Sequence, residues 1–352
     1  MLSYYFFQFK RSIKRFVFTK YFGFTKFFNA MIILFQAFVL HNSKVIGYPL
    51  KLTIDPSSIC ILNCPLCPTG QNKRGRTLAK MDFSDFKKII DEMHSYLYET
   101  DLNNWGEPFL NEDIIKMVNY AHKKRIWTSI NSNLNIPFTE LQAEELIKSG
   151  LDQLYVSADG MTQEVYEKYR IKGKIQNVFN NLKLVSKKKK ELNSETPVIV
   201  WQFLAMKHNE HQIPLLEEKR KELGVNRLVV GCVRGDLAEE IYKEDKVRID
   251  KTKDWLPSTD KLSRYDYEKQ ERKLKRTYCY YLWLVSAINS NGSVSPCCGV
   301  YFEKEDFGNA FKSGFKKIWN NEKYSAARKA IASKKPVSKT VCDNCLRTGF
   351  MD

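Results

Sequence analysis

Three cysteines, Cys60, Cys64 and Cys67, stand in the run Asp55-Pro-Ser-Ser-Ile-Cys-Ile-Leu-Asn-Cys-Pro-Leu-Cys-Pro-Thr-Gly. Thiolates in a CxxxCxxC spacing at the end of a predicted strand suit an iron-sulfur cluster, and three ligands for four irons leave one iron open for chemistry. The next cysteine in the chain is Cys232, so no fourth thiolate lies nearby in sequence. Zinc is the competing occupant. It usually takes four protein ligands in paired spacings, and the nearest histidine, His94, falls inside a predicted helix.

The elements that must position these thiols follow a repeating pattern. Short β-branched or aromatic runs alternate with amphipathic helical stretches from Lys51 to about Cys232, the signature of stacked βα units on a parallel sheet. The predicted strands are Leu52 to Asp55, Asp101 to Trp105, Trp127 to Asn131, Gln153 to Ser157, Val198 to Leu204 and Arg227 to Gly231. Helices are expected near 82–97, 111–124, 138–149, 161–191 in two pieces, and 210–223. Six such units with right-handed crossovers curl into an open, partial (β/α)6 TIM-like barrel with its site at the carboxyl ends of the strands. The cysteines follow the first strand, Asn104-Trp105-Gly106-Glu107-Pro108 the second, Ile130-Asn131-Ser132-Asn133 the third, and Val156-Ser157-Ala158-Asp159-Gly160 the fourth.

Taken together, the cysteine triplet, the Gly-Glu-Pro after strand two and the six βα units resemble the radical SAM superfamily. The resemblance implies a 4Fe-4S cluster on Cys60, Cys64 and Cys67, with S-adenosylmethionine chelating the open iron. It assigns Gly106, Glu107 and Pro108 to the superfamily's second motif, where a carboxylate can accept from the cofactor's amino group and glycine permits a close backbone approach. It points to Asn131, Ser132 and Ser157 as polar cofactor contacts, to Arg170 as a partner for a carboxylate, and to Met206 beside the adenine. The residue before the third cysteine is commonly aromatic in the superfamily, and here it is Leu66.

A second group of cysteines lies near the carboxyl end. Cys279, then Gly292 thirteen residues on, Cys297 and a terminal Cys342-Asp-Asn-Cys345 are similar in order to the twitch form of the SPASM extension. Asn291-Gly292 reads as a hairpin turn between two apolar runs, and a helix is expected from about Gly314 to Ala332. The resemblance implies that Cys279, Cys297, Cys342 and Cys345 ligate a second 4Fe-4S cluster; four thiolates with one CxxC suit a zinc ribbon as well. Cys232 and Cys298 are left over as spare thiols, with Cys298 a possible substitute for its neighbour. The expected domains are an N-terminal segment 1–50, a core 51–235, a charged linker 236–276 and a small α+β auxiliary domain 277–352.

The chain has 352 residues, 43% of them hydrophobic, and a formal net charge of +17. That length supports a large domain and a smaller one. Seven of the nine cysteines fall in the two motif groups and no secretory signal precedes them, so a reduced cytosol is expected rather than a disulfide framework. Residues 1–50 hold Lys10, Arg11, Lys14, Arg15, Lys20, Lys26 and Lys44 and no acidic residue, interleaved with aromatics such as Phe16, Tyr21, Phe28, Phe35 and Phe38. This pattern suits the headgroup region of an anionic membrane. The apolar run Phe27 to Leu40 is too short to span one, so the expectation is either a peripheral anchor at the inner membrane face or packing on the barrel. No recognisable RNA-binding module accompanies it, and nucleic acid is not an expected partner.

The resemblance implies reductive cleavage of S-adenosylmethionine to a 5'-deoxyadenosyl radical that takes hydrogen from a substrate carbon, fed by flavodoxin or ferredoxin. The expected substrate is a small molecule or glycan: a sugar, polyol or lipid-linked glycan, oxidised or otherwise modified. Modification of a ribosomally made peptide is the alternative, although the first fifty residues are too few for the winged leader-binding domain of many such enzymes. A non-catalytic iron-sulfur or zinc module at the membrane is the alternative of another class.

Overall fold

The computed structural model describes residues 20–234, 252–269, 271–273, 278–336 and 338–348. Residues 1–19, with four of the seven basic residues of the expected N-terminal segment, and much of the expected charged linker lie outside the described residues.

Six parallel strands form the body of the molecule: β1 (Lys51–Ile54), β2 (Glu99–Leu102), β3 (Trp127–Ser132), β4 (Gln153–Ser157), β5 (Val198–Ala205) and β6 (Arg227–Cys232), paired in sequence order. Helices return the chain between them: α2 (Phe83–Met93), α3 (Ile114–Lys123), α4 (Glu140–Lys148), α5 (Gln163–Tyr169), α6 (Ile175–Glu191) and α7 (Leu216–Glu222). Each buries one stripe on the sheet. In α2, Phe86, Ile89, Ile90 and Met93 recur at helical spacing and are all buried. A reciprocal capping box starts α4, with Thr139 and Gln142 satisfying each other's backbone N–H groups.

Alternation along the strands divides their side chains. Leu52, Ile54, Leu102, Ile130, Leu154, Val156, Ile199, Trp201 and Phe203 are fully buried against the helices. The opposite face, the barrel lumen, carries Lys51, Asp101, Ser129, Asn131, Tyr155, Ser157 and Gln202.

The C-terminal domain joins this sheet. After α8 (Tyr281–Leu284), β9 (Val285–Ile288) pairs parallel with β1, register Lys51 to Val285, so it extends the barrel at its first edge. Then β10 (Ser293–Ser295) turns back antiparallel to β9, and β11 (Gly308–Asn309) completes a nine-stranded open sheet. The turn uses Gly292 at φ +82°, a left-handed conformation where an added Cβ would also meet the Phe311 ring. After the short α9 (Ala310–Ser313), the expected 314–332 helix is two pieces, α10 (Phe315–Trp319) and α11 (Glu322–Ser333), because Asn320 leaves helical geometry and Asn321 caps the second. Helix α12 (Val341–Thr348) carries the terminal CxxC. A two-stranded pair, β7 (Tyr265–Asp266) and β8 (Glu271–Arg272), lies in the connection.

The N-terminal segment is not a separate unit. Helix α1 (Phe24–Phe35) continues into a wider turn, Gln36–Leu40. The strap after it binds the C-terminal domain: Trp283 Nε1 donates to the Asn42 carbonyl at 2.9 Å and Trp319 Nε1 to that of Gly47 at 3.0 Å.

A buried ion pair fastens core to auxiliary domain. Arg76, nine residues past Cys67, and Asp306 have side chains only 1% and 3% exposed. All five guanidinium N–H groups find acceptors: both Asp306 oxygens at 3.1 and 3.2 Å, Ser293 Oγ at 3.1 Å, the Val300 carbonyl at 3.3 Å, and the Tyr301 carbonyl. Arg76→Met strands a buried carboxylate and is expected to cost about 3–5 kcal/mol. Adding Asp306→Leu should recover most of that loss. Denaturation midpoints of the holoprotein check this; equal midpoints for single and double variants would count against the pair.

Candidate functional site

The cysteine loop leaves β1 at Asp55 and folds back on itself. Cys67 N–H donates to the Cys64 carbonyl at 3.1 Å, and Gln71 N–H to that of Cys67 at 2.9 Å. Cys64 is buried, while Cys60 and Cys67 are half-buried. Three N–H groups aim at sulfur: Leu62 N–H at Cys60 Sγ (3.4 Å), Asn133 Nδ2 at the same sulfur (3.7 Å), and Arg170 Nη1 at Cys64 Sγ (3.8 Å). Burial pushes the Cys60 thiol up to about 12, and raises Cys64 against the pull of the Arg170 guanidinium. Such thiols are poor nucleophiles on their own and become thiolates when metal takes up the charge. The donor set therefore fits a cluster. Leu66, standing where an aromatic was expected, is buried beside them.

The Gly-Glu-Pro motif is pressed against this loop. A Cβ on Gly106 would stand 1.9 Å from the Ser57 carbonyl oxygen and 2.6 Å from that of Ile59, so only glycine permits the approach. Glu107 N–H donates to the Ile59 carbonyl at 2.8 Å. The Glu107 side chain is 1% exposed. It accepts from Ser132 Oγ at 2.7 Å, Asn133 N–H at 2.8 Å and Phe109 N–H at 3.2 Å; burial still raises its carboxyl above the ordinary range. Ser132 thus orients Glu107, and Pro108 opens the short buried turn that follows.

Arg170 stands beside the same loop with one edge already engaged. Its Nε and Nη2 both lie 2.6 Å from Asp159 Oδ2, and Nη1 points to Cys64. That leaves Nη1 as the part of the fork nearest the cluster. Asn131 and Ser157 belong to the lumen: Ser157 Oγ donates to Asn131 Oδ1 at 2.9 Å, and Asn131 Nδ2 to Gln202 Oε1 at 2.9 Å. Met206 is instead fully buried in the apolar core. The turn that ends β5 draws it inward, closed by Asn209 on Met206 N–H (2.7 Å) and on the Leu204 carbonyl (2.9 Å).

The lumen continues as a polar ladder toward the opposite end of the barrel. Ser129 Oγ donates to Asp101 Oδ1 at 2.7 Å, and Lys51 Nζ lies 2.6 Å from Asp101 Oδ2 and 3.1 Å from Glu99 Oε1. Burial alone would lower the Lys51 ammonium, but the Asp101 and Glu99 charges outweigh it and hold its pKa well above the ordinary value.

The second cysteine set closes that end. Because β9 runs parallel to β1 and β10 returns, Cys279 and Cys297 both fall at the amino ends of the parallel strands, opposite the Cys60 loop. Cys279, Cys297, Cys342 and Cys345 are near enough to raise one another's thiol pKa values, with burial the larger cause for Cys297 and Cys342. Among the described residues no three His, Cys, Asp or Glu side chains converge on one ion-sized point, and the donor set, thiols alone, is what fits a cluster. Cys298 is exposed rather than buried, and Lys51, Arg234 and Asp101 are its charged neighbours. Cys232 is half-buried on β6.

Three residues of this site were not singled out in the sequence. Asp159 aims Arg170, Asn133 donates to both chemistry and scaffold, and Asp55 is a fully buried carboxylate at the end of β1. A polar residue closing an apolar strand was the only sequence signal for each. Burial pushes the Asp55 carboxyl up to about 7, against the Trp105 N–H, the Arg76 charge and the N–H groups of Ser57 and Gly106. A cleft of about 670 Å³ lies elsewhere, on the outer layer among Phe109, Ile115, Tyr120 and Phe138.

Residues 54–200 match the radical SAM superfamily, and residues 279–346 match the iron-sulfur cluster-binding domain SPASM. The PqqA peptide cyclase of Bradyrhizobium diazoefficiens is 24% identical over 195 residues, 55% of this chain and 49% of the cyclase. The chain thus spans about half the length of that relative. The Fe-coproporphyrin III synthase of Methanosarcina barkeri is 24% identical over 328 residues, 83% of this chain and 79% of the synthase. Streptococcus suis SuiB, solved bound to the precursor peptide SuiA, shares the fold with a TM-score of 0.57 at 17% identity, covering 80% of this chain and 66% of SuiB.

Two outcomes test this geometry. Cys64→Ala is expected to abolish cofactor cleavage and to leave about four of eight irons after reconstitution; retained cleavage would contradict the ligand assignment. Asp55 holds its proton more tightly in the folded chain than the ordinary 3.8 of the unfolded one. The native state therefore binds the extra proton between those values, and stability falls as pH rises through about 7. From about pH 5.5 to 8 the loss is about 2 kcal/mol, and Asp55→Asn should flatten it. Parallel denaturation profiles for parent and variant would refute this.

Proposed function

The chain belongs to the radical SAM superfamily and ends in a SPASM auxiliary iron-sulfur domain, and we propose that it is an oxidoreductase acting on a sugar, polyol or lipid-linked glycan. The observation that carries the reading is the lumen. Hydroxyl, carboxamide, carboxylate and ammonium groups from five different strands lie on the lumen face between the two cysteine sets. Such a lining matches a ligand that presents many hydroxyls.

When bound at Cys60, Cys64 and Cys67, the cluster and S-adenosylmethionine supply a 5'-deoxyadenosyl radical able to take hydrogen from an unactivated carbon. The protein's own residues do the remainder. Gly106 and Glu107 fix the loop, Arg170 Nη1 offers a cation for the cofactor's carboxylate, and the Asn131, Ser157 and Gln202 ladder orients substrate hydroxyls. At the far end Asp101 Oδ2, paired with Lys51, would take the hydroxyl proton once the hydrogen atom has left the carbon, and the remaining electron would go to the auxiliary cluster that Cys279, Cys297, Cys342 and Cys345 would hold. Flavodoxin or ferredoxin is the proposed reductant, and the cytoplasmic side of a membrane the proposed location.

A second reading, modification of a peptide, is favoured by the cyclase relative and by the peptide-bound SuiB structure. Anaerobic reconstitution, dithionite and S-adenosylmethionine with deuterated substrates separate the two. Deuterium in 5'-deoxyadenosine from a labelled sugar or polyol is expected; transfer from peptide alone would overturn the first reading. Zinc in place of iron, with no cleavage, would overturn both. With the true substrate, Asp101→Asn should slow product formation about 100-fold while deoxyadenosine formation persists.

A further inference from the structure

Helix α1 wears its polarity inside out. Lys26, Asn29, Ile33 and Gln36 recur at helical spacing and face the protein. There Lys26 Nζ donates to the Arg125 carbonyl at 2.6 Å, Asn29 exchanges hydrogen bonds with the Tyr48 backbone at 2.8 and 3.0 Å, and Gln36 Oε1 accepts from Ile46 and Gly47 N–H at 3.0 and 3.2 Å. Phe24, Phe28, Met31, Phe35 and Phe38 recur at the complementary spacing and face outward, with Phe24 76% and Phe28 61% exposed. An ordinary surface helix does the reverse. Ile46, 79% exposed, lies on the strap that Gln36 holds.

A row of aromatic and aliphatic side chains of this length is more apolar surface than a soluble chain normally leaves in water. Three facts select its cover. Residues 1–50 contain seven Lys or Arg, and no Asp or Glu precedes Asp55. Two copies meeting on this face would bring two basic, acid-free segments together, whereas an anionic headgroup layer neutralises the exposed Lys20 and Lys44 while its acyl boundary receives the rings. And among the described residues no helix is long and apolar enough to cross a membrane, so the helix lies along the surface rather than through it.

We propose that the outward face of α1 docks the enzyme on an anionic lipid bilayer, with the aromatic row in the headgroup boundary and Lys20 and Lys44 on the lipid charges. The placement has a consequence for the site. Lys26 bonds Arg125, two residues before β3, and Tyr21 bonds Asp152, the residue that precedes β4. Tyr278, next to Cys279, bonds the Ala37 carbonyl. The docked face is therefore at the amino ends of the strands, on the side of the lumen that carries Lys51 and the auxiliary cysteines. The proposal does not depend on the substrate reading.

The test uses the full-length holoprotein, sedimented with phosphatidylcholine vesicles and with phosphatidylcholine mixed with phosphatidylglycerol. Binding to the anionic vesicles, weak binding to the neutral ones and release by high salt are expected. Phe28→Asn with Phe35→Asn should weaken binding about 100-fold at unchanged iron content and melting temperature, since both side chains are exposed. Lys20→Glu with Lys44→Glu should weaken it at least about tenfold. No vesicle binding, equal binding to both lipids, or full binding by the double phenylalanine variant would overturn the proposal. So would a stable dimer that the same variant splits, which would assign the face to a second copy.

Discussion

The pair Arg76 and Asp306 joins positions 230 residues apart in sequence, and the geometry of the whole site depends on it. On one side stands the loop that begins with the core cysteines, on the other the turn that follows Cys297 and Cys298. Around the ion pair the two strands of chain are sewn by further bonds: Glu303 N–H to the Gly75 carbonyl at 2.8 Å, Thr77 N–H to Glu303 Oε2 at 2.8 Å, and Tyr301 Oη to the Lys73 carbonyl at 2.8 Å. Gly75, at φ +117°, leaves room for the Phe302 ring. Charges this deep contribute little net stability compared with an apolar filling. Their directional requirement is strict, and that fits a junction that must hold two cysteine sets at fixed ends of one lumen.

The second constraint is the parallel pairing of β9 with β1. Because β1 leads directly into the Cys60 loop and β9 follows Cys279, the sheet places one cysteine set at each end of the same strand pair. Nothing has to fold over the barrel mouth to bring the auxiliary domain to the site. The N-terminal strap reinforces the arrangement. Arg328 is fully buried between the Trp319 and Tyr324 rings and donates to the Leu282 and Ser43 carbonyls at 2.8 and 3.3 Å. Burial pulls its pKa down to about 9, a measure of how dry this seam is.

Much of the barrel was legible because its strands are apolar on the helix side and short. The β4 limits agree with expectation to the residue, while β2 begins two residues early, at Glu99, because its first residues face a polar lumen and read as loop. The grouping of the cysteines and the tight Gly-Glu-Pro turn were legible from spacing and residue type. Partners set by long-range packing were not. Nothing local to Arg76 points to Asp306, and nothing in the Met206 segment tells whether it faces the lumen or the core. The same limit applies to α1: periodicity shows two faces, and only the surrounding structure decides which one meets protein.

The lumen ladder also says how the site would choose its ligand. Asn131, Ser157, Gln202, Ser129 and Asp101 are already bonded to one another, so no group waits unsatisfied at high cost. A hydroxylated ligand exchanges these bonds for its own with little net change, since a hydrogen bond traded for another is worth only about 1 kcal/mol. An apolar ligand of equal size breaks the ladder and leaves buried donors and acceptors unpaired, at about 1–3 kcal/mol for each. On the proposed reading, discrimination comes from rejecting ligands that lack hydroxyls rather than from tight binding of those that have them. A site of this design can stay loose toward the detailed stereochemistry of its substrate and still be strict about its class. On the same proposed reading, which carbon reacts is decided by the end of the lumen that faces Cys60, Glu107 and Arg170, where the scaffold is glycine-tight and the polar groups are committed to fixed partners.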